Sequence, residues 1–402
     1  MTTTPLQMAS TQADLPGISG LTPDELGAWV AAHGQPSYRA RQIADAVWKD
    51  GGHTEAIAFR TLPAAVRDAL ATELALDTVG DTELRLGDGG LTEKALHRLR
   101  DGALIESVLM HYPARGASRE RHTLCISSQA GCAVGCPFCA TGELGFGRDL
   151  EVAEIVDQVR HAARRLAADG KRLTNIVFMG MGEPLLNLDR VLAAVEALND
   201  PDRFGLGARH ITVSTSGVVP GIRRLTGLGP QFTLAVSLHA ARDALRDVLV
   251  PLNRRWPVAE VVAAARDHGR ATGRRISYEV TMISGINDTP ADAQAIVDLL
   301  GNDHAHVNLI PMNPVAHTPW IASPMPVIEA FAATLREAGI GTTIRRNRGQ
   351  EVGAACGQLA AERAGEPPAP VVARRRERLV MASADALRGK RSDEPVPAGV
   401  GE

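Results

Sequence analysis

The sequence predicts an α/β fold, a partial (β/α)6 barrel with a small helical accessory domain before it and a disordered tail after it. Six apolar, strand-like runs alternate with amphipathic helical segments, which is typical of parallel strands joined by helical crossovers. The first of these helical segments repeats its apolar residues with the 3.6-residue period of a helix face packed on a sheet. The predicted strands are 123–127, 175–179, 211–214, 233–238, 276–282 and 307–310.

The other elements follow from local signals along the chain. Thr22 followed by a proline and two acids predicts a helix start, and Ser37 and Pro63 mark the starts of two further short helices. Glycine-punctuated segments then predict a few short strands, and the arginine- and proline-rich end predicts disorder. The predicted boundaries are 1–20 for a flexible N-terminus, 21–80 for the helical accessory domain, 81–110 for short linking strands, 111–364 for the barrel and 365–402 for the basic tail.

Composition narrows the class of protein before any motif is considered. The 402 residues are 45% hydrophobic and 22% charged, a globular balance, and no apolar run is long enough to span a membrane. The start lacks the basic-then-apolar order of a signal peptide, so we expect a cytoplasmic protein. The net charge of −3 gives no global sign of nucleic-acid binding, and five cysteines do not suggest a disulfide framework.

Three of the five cysteines form the strongest chemical signal. Cys132, Cys136 and Cys139 fall in a short loop after the first predicted barrel strand. Three thiolates at this spacing can hold three irons of an iron–sulfur cube and leave the fourth iron open to a chelating ligand. Zinc, with His122 as a further ligand, is the competing metal, although zinc ligand pairs usually lie in two separated halves.

Two isolated cysteines and one glutamate are further candidates. Cys356 follows a short run of arginines, and nearby positive charge favours a reactive thiolate, whereas the alternative is a buried structural cysteine. Cys125 lies on the polar face of the first barrel strand, which can point into the barrel. Glu106 interrupts an apolar row, so it is a candidate proton acceptor if buried and an ordinary edge-strand residue if exposed.

The three-cysteine loop resembles that of the radical S-adenosylmethionine (SAM) superfamily. The segment 180–184 (GMGEP) is similar to the superfamily's glycine-rich segment, which pairs with the amino group of SAM. Glycines permit close backbone approach, and Glu183 supplies an anionic acceptor for an ammonium group. The resemblance implies a four-iron, four-sulfur (4Fe–4S) cluster on the three cysteines, with SAM bound at its open iron.

Further motifs are similar to those of the RNA adenine C2-methyltransferases within this superfamily, over roughly residues 21–361. These motifs are 123–129 (TLCISSQ), 214–220 (STSGVVP), 237–239 (SLH), 308–314 (NLIPMNP) and 355–359 (ACGQL). The segment 350–353 departs from the family pattern because it lacks the expected aspartates. The resemblance implies a SAM pocket formed by Gly182, Glu183, Ser214, Ser237, Leu238, His239 and Asn313.

The resemblance also implies a mechanism that uses the isolated cysteines. Cys356 would carry an S-methylcysteine intermediate, and a 5′-deoxyadenosyl radical would activate its methyl group for addition to adenine C2, with two SAM molecules used per turnover. Glu106 or Cys125 would accept the C2 proton, and Cys125 would resolve the adduct through a transient disulfide with Cys356.

The partners implied are 23S ribosomal RNA at the peptidyl-transferase centre, transfer RNA beside the anticodon, and an electron donor such as a flavodoxin-type reductant. The accessory domain would grip structured RNA, and the enzyme would act as a monomer without membrane attachment. Two alternatives remain at this stage. One is the related enzyme that methylates C8 of the same ribosomal adenine, and the other is a non-catalytic iron–sulfur or zinc protein that binds RNA.

Overall fold

One large sheet forms the centre of the molecule. The computed structural model describes residues 15–80, 82–114, 116, 119–359 and 369–391. A separate two-stranded sheet consists of β5 (Gln129–Gly131) and β6 (Phe146–Asp149). The ten strands of the large sheet are β1 (Thr82–Gly87), β2 (Thr92–Arg98), β3 (Leu104–Tyr112), β4 (Arg121–Cys125), β7 (Asn175–Phe178), β8 (Ile211–Thr215), β9 (Thr233–Ser237), β10 (Ile276–Met282), β11 (Ala305–Pro311) and β12 (Gly341–Ile344).

The strand order of the large sheet is β1-β2-β3-β4-β7-β8-β9-β10-β11-β12. The pairs from β1 to β4 are antiparallel, and every pair from β4 to β12 is parallel. This confirms the predicted α/β class with its six parallel strands, and the sheet adds β12 as a seventh. The antiparallel strands of the predicted linker are continuous with the parallel ones, so they belong to the same sheet.

Helices connect the parallel strands and pack on the sheet. The helices α5 and α6 carry fully buried apolar residues such as Val159 and Val191, which face the strands. Helices in the barrel region are α4 (Ala140–Leu144), α5 (Val152–Ala168), α6 (Leu188–Asn199), α7 (Val219–Leu228), α8 (Asp243–Leu249), α9 (Val258–Thr272), α10 (Pro290–Leu300) and α11 (Met325–Glu337).

The two ends of the sheet approach each other through the turn after β1. The Asp88 carboxylate accepts from the Gly349 backbone N–H at 2.8 Å, in the segment after β12. The Asp88 N–H in turn donates to the Glu351 carboxylate at 2.6 Å. These contacts curl the sheet towards a partial barrel, so the chain after β12 lies across its open side.

The three N-terminal helices, in the region predicted to be an accessory domain, are fastened to the barrel by a buried arginine. These helices are α1 (Pro23–Ala32), α2 (Tyr38–Trp48) and α3 (Ala64–Glu73). Thr22 and Glu25 cap α1 reciprocally, as the sequence predicts. Arg160 on α5 is fully buried, and its guanidinium donates to the carbonyls of Val47 and Leu76, each at 3.0 Å.

The predicted flexible N-terminus is ordered in its last residues. Gly17 forms a parallel bridge with Ala75, and the Ile18 N–H donates to the Ala75 carbonyl at 2.9 Å. Ile18 is buried in the core. The expectation of flexibility over residues 1–20 is therefore wrong for these residues, because an apolar side chain and a backbone pairing hold them, and residues 1–14 lie outside the described part of the chain.

The predicted disordered tail contains a helix, α12 (Ala369–Leu387). Small and apolar side chains on one side of α12 pack on the barrel, and Ala386 is fully buried. Just after the helix, the Arg391 guanidinium pairs with the buried Asp247 carboxylate of α8 at 2.7 Å. The expectation of disorder over 365–402 is therefore wrong for α12, while the rest of that range falls largely outside the described residues. No helix among the described residues is long and apolar enough to cross a membrane.

Candidate active site

A cavity opens at the carboxyl ends of the parallel strands, where α/β barrels place their sites. Most of the residues singled out by sequence line this one cavity, although they come from segments far apart in the chain. They are Cys132, Cys136, Cys139, Gly182, Glu183, Ser214, Ser237, His239, Asn313 and Cys356.

The three-cysteine loop presents its thiols to this cavity. Burial raises the pKa of Cys132 to about 12 and also raises the pKa values of Cys136 and Cys139. Binding of a metal group must therefore displace protons from these thiols. The loop is held by distant segments, since the Ala140 N–H donates to the Gly357 carbonyl at 2.6 Å.

The thiol arrangement fits a cluster better than a single zinc ion. Among the residues that the structure describes, no three His, Cys, Asp or Glu side chains converge on one metal position. A zinc site needs such convergence, whereas each iron of a cube takes only one thiolate. His122, the proposed zinc ligand, lies instead on β4, with its Nδ1 2.9 Å from Nδ1 of His111. The described residues therefore do not bring His122 to the three thiols as a zinc ligand.

The glycine-rich segment after β7 packs closely against the backbone of residues 126–129, just before the three-cysteine loop. Gly182 has φ +101°, and a Cβ there would lie 2.7 Å from the Gln129 backbone nitrogen. Gly180 is equally close, since its Cβ would lie 2.6 Å from the Ile126 carbonyl oxygen. Only glycine fits both positions, which explains why this segment can lie against the cavity wall.

Glu183 is buried at the rim of this segment with its carboxylate already oriented. Its Oε2 accepts from the backbone N–H and the hydroxyl of Ser216, both at 2.7 Å, and its Oε1 accepts from Leu185 N–H at 3.0 Å. Burial raises the pKa of Glu183, and these hydrogen bonds oppose the rise. Carboxylate oxygens can accept more than one donor each, so the group retains capacity for an ammonium ligand.

Residues after β8 and β9 complete the cavity wall. The Ser214 hydroxyl donates to the Phe178 carbonyl at 2.6 Å, and burial lowers the pKa of His239 to about 3, so its imidazole is neutral. His239 Nδ1 accepts from the Thr281 N–H at 3.1 Å. The Leu238 side chain is fully buried in the core and Leu238 does not line the cavity. Its N–H donates to the Glu279 carbonyl at 2.9 Å, so the structure does not bring this expected SAM-pocket residue to a ligand.

Asn313 connects the cavity to the loop that carries Cys356. Its Nδ2 donates to the Cys356 carbonyl at 2.9 Å. Its Oδ1 accepts from Gln350 Nε2 at 2.7 Å. Because both ends of the amide are engaged, its orientation is fixed. Gln350 lies in the segment that departs from the family pattern, and a neutral amide there supplies a donor that a carboxylate could not.

Cys125 lines a second, smaller cavity on the other side of Cys356. Met179, Arg345 and Cys356 line both cavities, whereas Cys125 lines only the second. Burial raises the pKa of Cys125 to about 12; the nearby Cys356 thiol adds to this rise and Arg345 opposes it. The structure thus brings the two isolated cysteines, 231 positions apart by their numbers 125 and 356, to the same small space.

Glu106 is buried beside these groups but does not line either cavity. Val108 pairs opposite Cys125, and the Glu106 carbonyl accepts from the Ser127 hydroxyl at 2.6 Å. Lys94 Nζ lies 2.7 Å from the Glu106 carboxylate, which supplies the opposite charge that a buried carboxylate needs. The alternative of a water-exposed edge residue is therefore wrong.

Comparison with known proteins agrees with this geometry. Residues 126–300 match the model of the radical SAM superfamily. The chain is 49% identical over 358 residues to a probable dual-specificity RNA methyltransferase RlmN of Frankia alni, covering 87% of this chain and 84% of that protein. A radical SAM methyltransferase from Sphaerobacter thermophilus superposes with a TM-score of 0.83 at 46% identity, covering 86% of this chain and all of that chain.

The chain belongs to the RlmN family of radical SAM RNA methyltransferases. A relative from Salinispora arenicola is similarly close, at 47% identity over 354 residues, covering 85% of this chain and 90% of that protein. Membership in the radical SAM superfamily implies an iron–sulfur cluster and SAM. The cavity fits both groups, since it combines three buried thiols, a glycine cradle and an oriented carboxylate.

One residue important to this RlmN-family site was missed at the sequence level. Arg246 on α8 is fully buried, and its guanidinium donates to the carbonyls of Ser216 at 2.7 Å, Ser237 at 3.0 Å and Leu238 at 3.0 Å. It therefore holds the loops after β8 and β9 together under the cavity. An arginine in a short helix carries no local sign of burial, so no sequence pattern could have revealed it.

Proposed function

We propose that this chain methylates C2 of adenine in 23S ribosomal RNA and in transfer RNA, at the position 3′ of the anticodon, with Cys356 as the methyl carrier. The observation that carries the proposal is the position of Cys356 on the wall shared by the two cavities. A thiol at this place can receive a methyl group from a cofactor on one side and present it to a base on the other. The name of the Frankia alni relative, a probable dual-specificity RNA methyltransferase, supports the choice of substrate class.

The cofactors are assigned to the first cavity. Cys132, Cys136 and Cys139 would hold a 4Fe–4S cluster, and the SAM molecules, two per turnover, would be held by Gly182, Glu183, Ser214, Ser237, His239 and Asn313. Bound there, these groups supply the transferable methyl and the one-electron chemistry that a poor carbon nucleophile such as adenine C2 requires. The glycines admit the ligand to the wall, and Glu183 accepts its ammonium group.

The chain's own residues account for the remaining steps. Cys356 would accept and hold the methyl group that bound SAM supplies, as S-methylcysteine. The bound SAM and cluster would supply the one-electron chemistry that takes one hydrogen atom from that methyl, and the resulting carbon would bond to adenine C2. Glu106 or Cys125 then accepts the C2 proton. The Cys125 thiolate would attack the Cys356 sulfur, so that a disulfide forms while the carbon–sulfur bond breaks. The released methylene carbon would take up a proton to become the methyl group, and the one excess electron on the base would return to the bound cluster. An external reductant of the flavodoxin type would supply electrons.

The burial of Cys125 fits its role as the resolving thiol. A thiol whose pKa lies near 12 stays protonated at neutral pH and is therefore a poor acceptor for the methyl group. Its ionisation must be coupled to proton transfer in the occupied site. Lys94, which pairs with Glu106, also donates to the Gly353 carbonyl at 3.3 Å, three residues before Cys356, and so links the proposed acceptor to the methyl-carrying loop.

The test is expression in a bacterial host that lacks its own C2-methyltransferase, followed by nucleoside analysis of ribosomal and transfer RNA. We expect 2-methyladenosine in both pools. Recovery of 8-methyladenosine would instead assign the chain to the related C8-methylating activity. If a cluster-loaded protein produced no new methyladenosine, the substrate assignment would be refuted. Cys356→Ala is the matched control, which should keep its cluster and yield no methylated nucleoside.

A further inference from the structure

We propose that helix α12 is a clasp on the cofactor site, and that Arg375 and Arg376 are positioning residues that retain the iron–sulfur cluster by holding its loop closed. This role rests on the proposed function, which assigns the cluster to the three-cysteine loop. None of the described side chains of α12 lines the cofactor cavity, so the helix acts through the residues that it contacts. Contacts at both ends of α12 and the slight secondary structure of the cluster loop support the proposal.

The N-terminal half of α12 joins two elements beside the cluster loop. The Arg375 guanidinium forms an ion pair with Glu143 on α4, the short helix that directly follows Cys139. The next residue, Arg376, donates to the Thr318 carbonyl at 3.0 Å, in the loop after β11. Because neighbouring side chains on a helix project about 100° apart, the two arginines reach two different elements, and α12 connects them.

The loop after β11 in turn contacts the cluster loop at its middle. His317 is buried, and its Nε2 donates to the Pro137 carbonyl at 2.8 Å. Pro137 lies between the proposed ligands Cys136 and Cys139. Thr318, whose carbonyl accepts from α12, is the neighbour of His317. The helix therefore supports the cluster loop at two points, through α4 at the end of the loop and through the His317 segment at its middle.

The C-terminal end of α12 is connected to the opposite wall of the cofactor cavity. Ala386 is fully buried, and just after the helix Arg391 donates two hydrogen bonds to the Asp247 carboxylate, at 2.7 Å and 3.0 Å. Asp247 also accepts from the Asn253 side chain, and Asn253 Oδ1 accepts from Arg246 at 3.0 Å. Arg246 holds the loops after β8 and β9. A continuous series of hydrogen bonds thus links the end of α12 to the cavity wall.

The cluster loop depends on such contacts because it has little secondary structure of its own. The helix α4 has only five residues, and a helix this short is marginal without tertiary contacts. Iron can leave a cluster when the loop that holds it opens, so a contact that favours the closed loop slows iron release. The side chains of Arg375 and Glu143 are 34% and 20% exposed, and we expect this partly buried pair to slow release about fivefold.

The first test measures iron release from the full-length, cluster-loaded protein. An excess of an iron(II) chelator is added anaerobically, and the coloured complex is followed by absorbance. We expect Arg375→Met to release iron about fivefold faster than the wild type, and Arg376→Met about threefold faster. Glu143→Gln should match Arg375→Met, and the double variant should be no faster than either single one, because both changes remove the same contact.

Arg378→Met is the matched control on the same helix. Arg378 is exposed and has no hydrogen bond or ion pair among the residues that the structure describes. This variant loses the same charge and should release iron at the wild-type rate. The urea unfolding midpoints of cluster-free Arg375→Met and Arg378→Met should agree, because the Arg375 contact lies outside the core of the sheet. Faster iron release at an unchanged midpoint separates retention of the cluster from a general loss of stability.

The wild-type protein alone tests the same coupling in the opposite direction. If α12 favours the closed cluster loop, then cluster binding must favour the docked α12 by the same factor. Deuterium exchange followed by mass spectrometry should therefore be about fivefold slower over residues 373–380 in the cluster-loaded protein than in the cluster-free protein. Exchange in α10 (Pro290–Leu300), which does not contact α12 or the cluster loop, should not change.

Two results would overturn the clasp. One is equal exchange over residues 373–380 with and without the cluster, a comparison that needs no variant. The other is a folded Arg375→Met that releases iron at the wild-type rate. Failure of the proposed function is distinguishable, because a chain that retains its cluster and shows this coupling, yet produces no 2-methyladenosine, would keep the clasp and lose the proposed reaction. A wild-type chain that binds no iron would overturn both.

Discussion

Replacement of Arg246, which does not itself line the cofactor cavity, should loosen that cavity. Its guanidinium donates four hydrogen bonds, to the carbonyls of Ser216, Ser237 and Leu238 and to Oδ1 of Asn253 at 3.0 Å. Four lost hydrogen bonds at about 1 kcal/mol each give about 4 kcal/mol for Arg246→Met. Burial lowers the pKa of Arg246 to about 10, so part of this loss is offset because methionine carries no buried charge. We therefore expect a net loss of about 2–4 kcal/mol.

The assay combines unfolding with cofactor binding. Urea unfolding of the cluster-free protein, followed by circular dichroism, should show the predicted loss for Arg246→Met and about half of it for Arg246→Lys, which keeps the charge but cannot span four acceptors. SAM affinity of the cluster-loaded variants should fall about tenfold, since two loops of the site lose their common anchor. Arg223→Met, which removes only an exposed ion pair with Glu260, should change stability by less than about 1 kcal/mol. Wild-type stability and SAM affinity in Arg246→Met would refute the reasoning.

Three further predictions concern the thiols and the glycine cradle. Cys132→Ala should lose bound iron and sulfide on anaerobic reconstitution, whereas Cys125→Ala should retain both, and equal iron contents would contradict the assigned ligands. Burial raises the folded pKa of Cys125 to about 12 from 9.0, so the unfolded chain ionises first and stability falls as pH rises from 9 to 12. Urea unfolding across this range should show a shallower fall for Cys125→Ala, and an unchanged slope would count against it. Gly182→Ala should weaken SAM binding, and it should lower the unfolding midpoint more than Gly273→Ala does. Both glycines have a positive φ, but Gly273 (φ +67°) has open space around it, whereas a Cβ on Gly182 would also clash with Gln129.

The parallel strands were predictable because each contains a short run of apolar side chains that pack against the covering helices and the barrel interior. Strand β12 was not, since Gly341 and two threonines form no apolar run, and only pairing with β11 makes it a strand. Helix α12 was missed for a related reason. Its arginines dominate the composition, while the side that packs on the barrel relies on small residues such as Ala386. Local composition thus reports what a segment exposes more readily than what it contacts.

The same limit applies to the site. The sequence indicated which residue types take part, but not how close their side chains lie in the fold. Glu106 and Cys125 are far apart in sequence. The antiparallel pairing of β3 with β4 nevertheless places Val108, two residues from Glu106, opposite Cys125. The register of two strands sets this proximity, and a longer turn leaves it unchanged. Lys94, which neutralises Glu106, comes from a third strand and had no sequence signal.

Long-range backbone contacts make the cluster loop and the Cys356 loop a single structural unit. The Thr141 hydroxyl donates to the Leu359 carbonyl at 2.6 Å across 218 residues of chain, and a Cβ on Gly357 would lie 3.0 Å from the Phe138 carbonyl oxygen. Occupation of the three thiols by a cluster would stiffen the loop that contains Phe138 and thereby the loop that carries Cys356. Cys356, the proposed methyl carrier, is therefore positioned by the same contacts that hold the proposed cluster ligands, so loss of the cluster should disorder the Cys356 loop as well as remove the source of electrons.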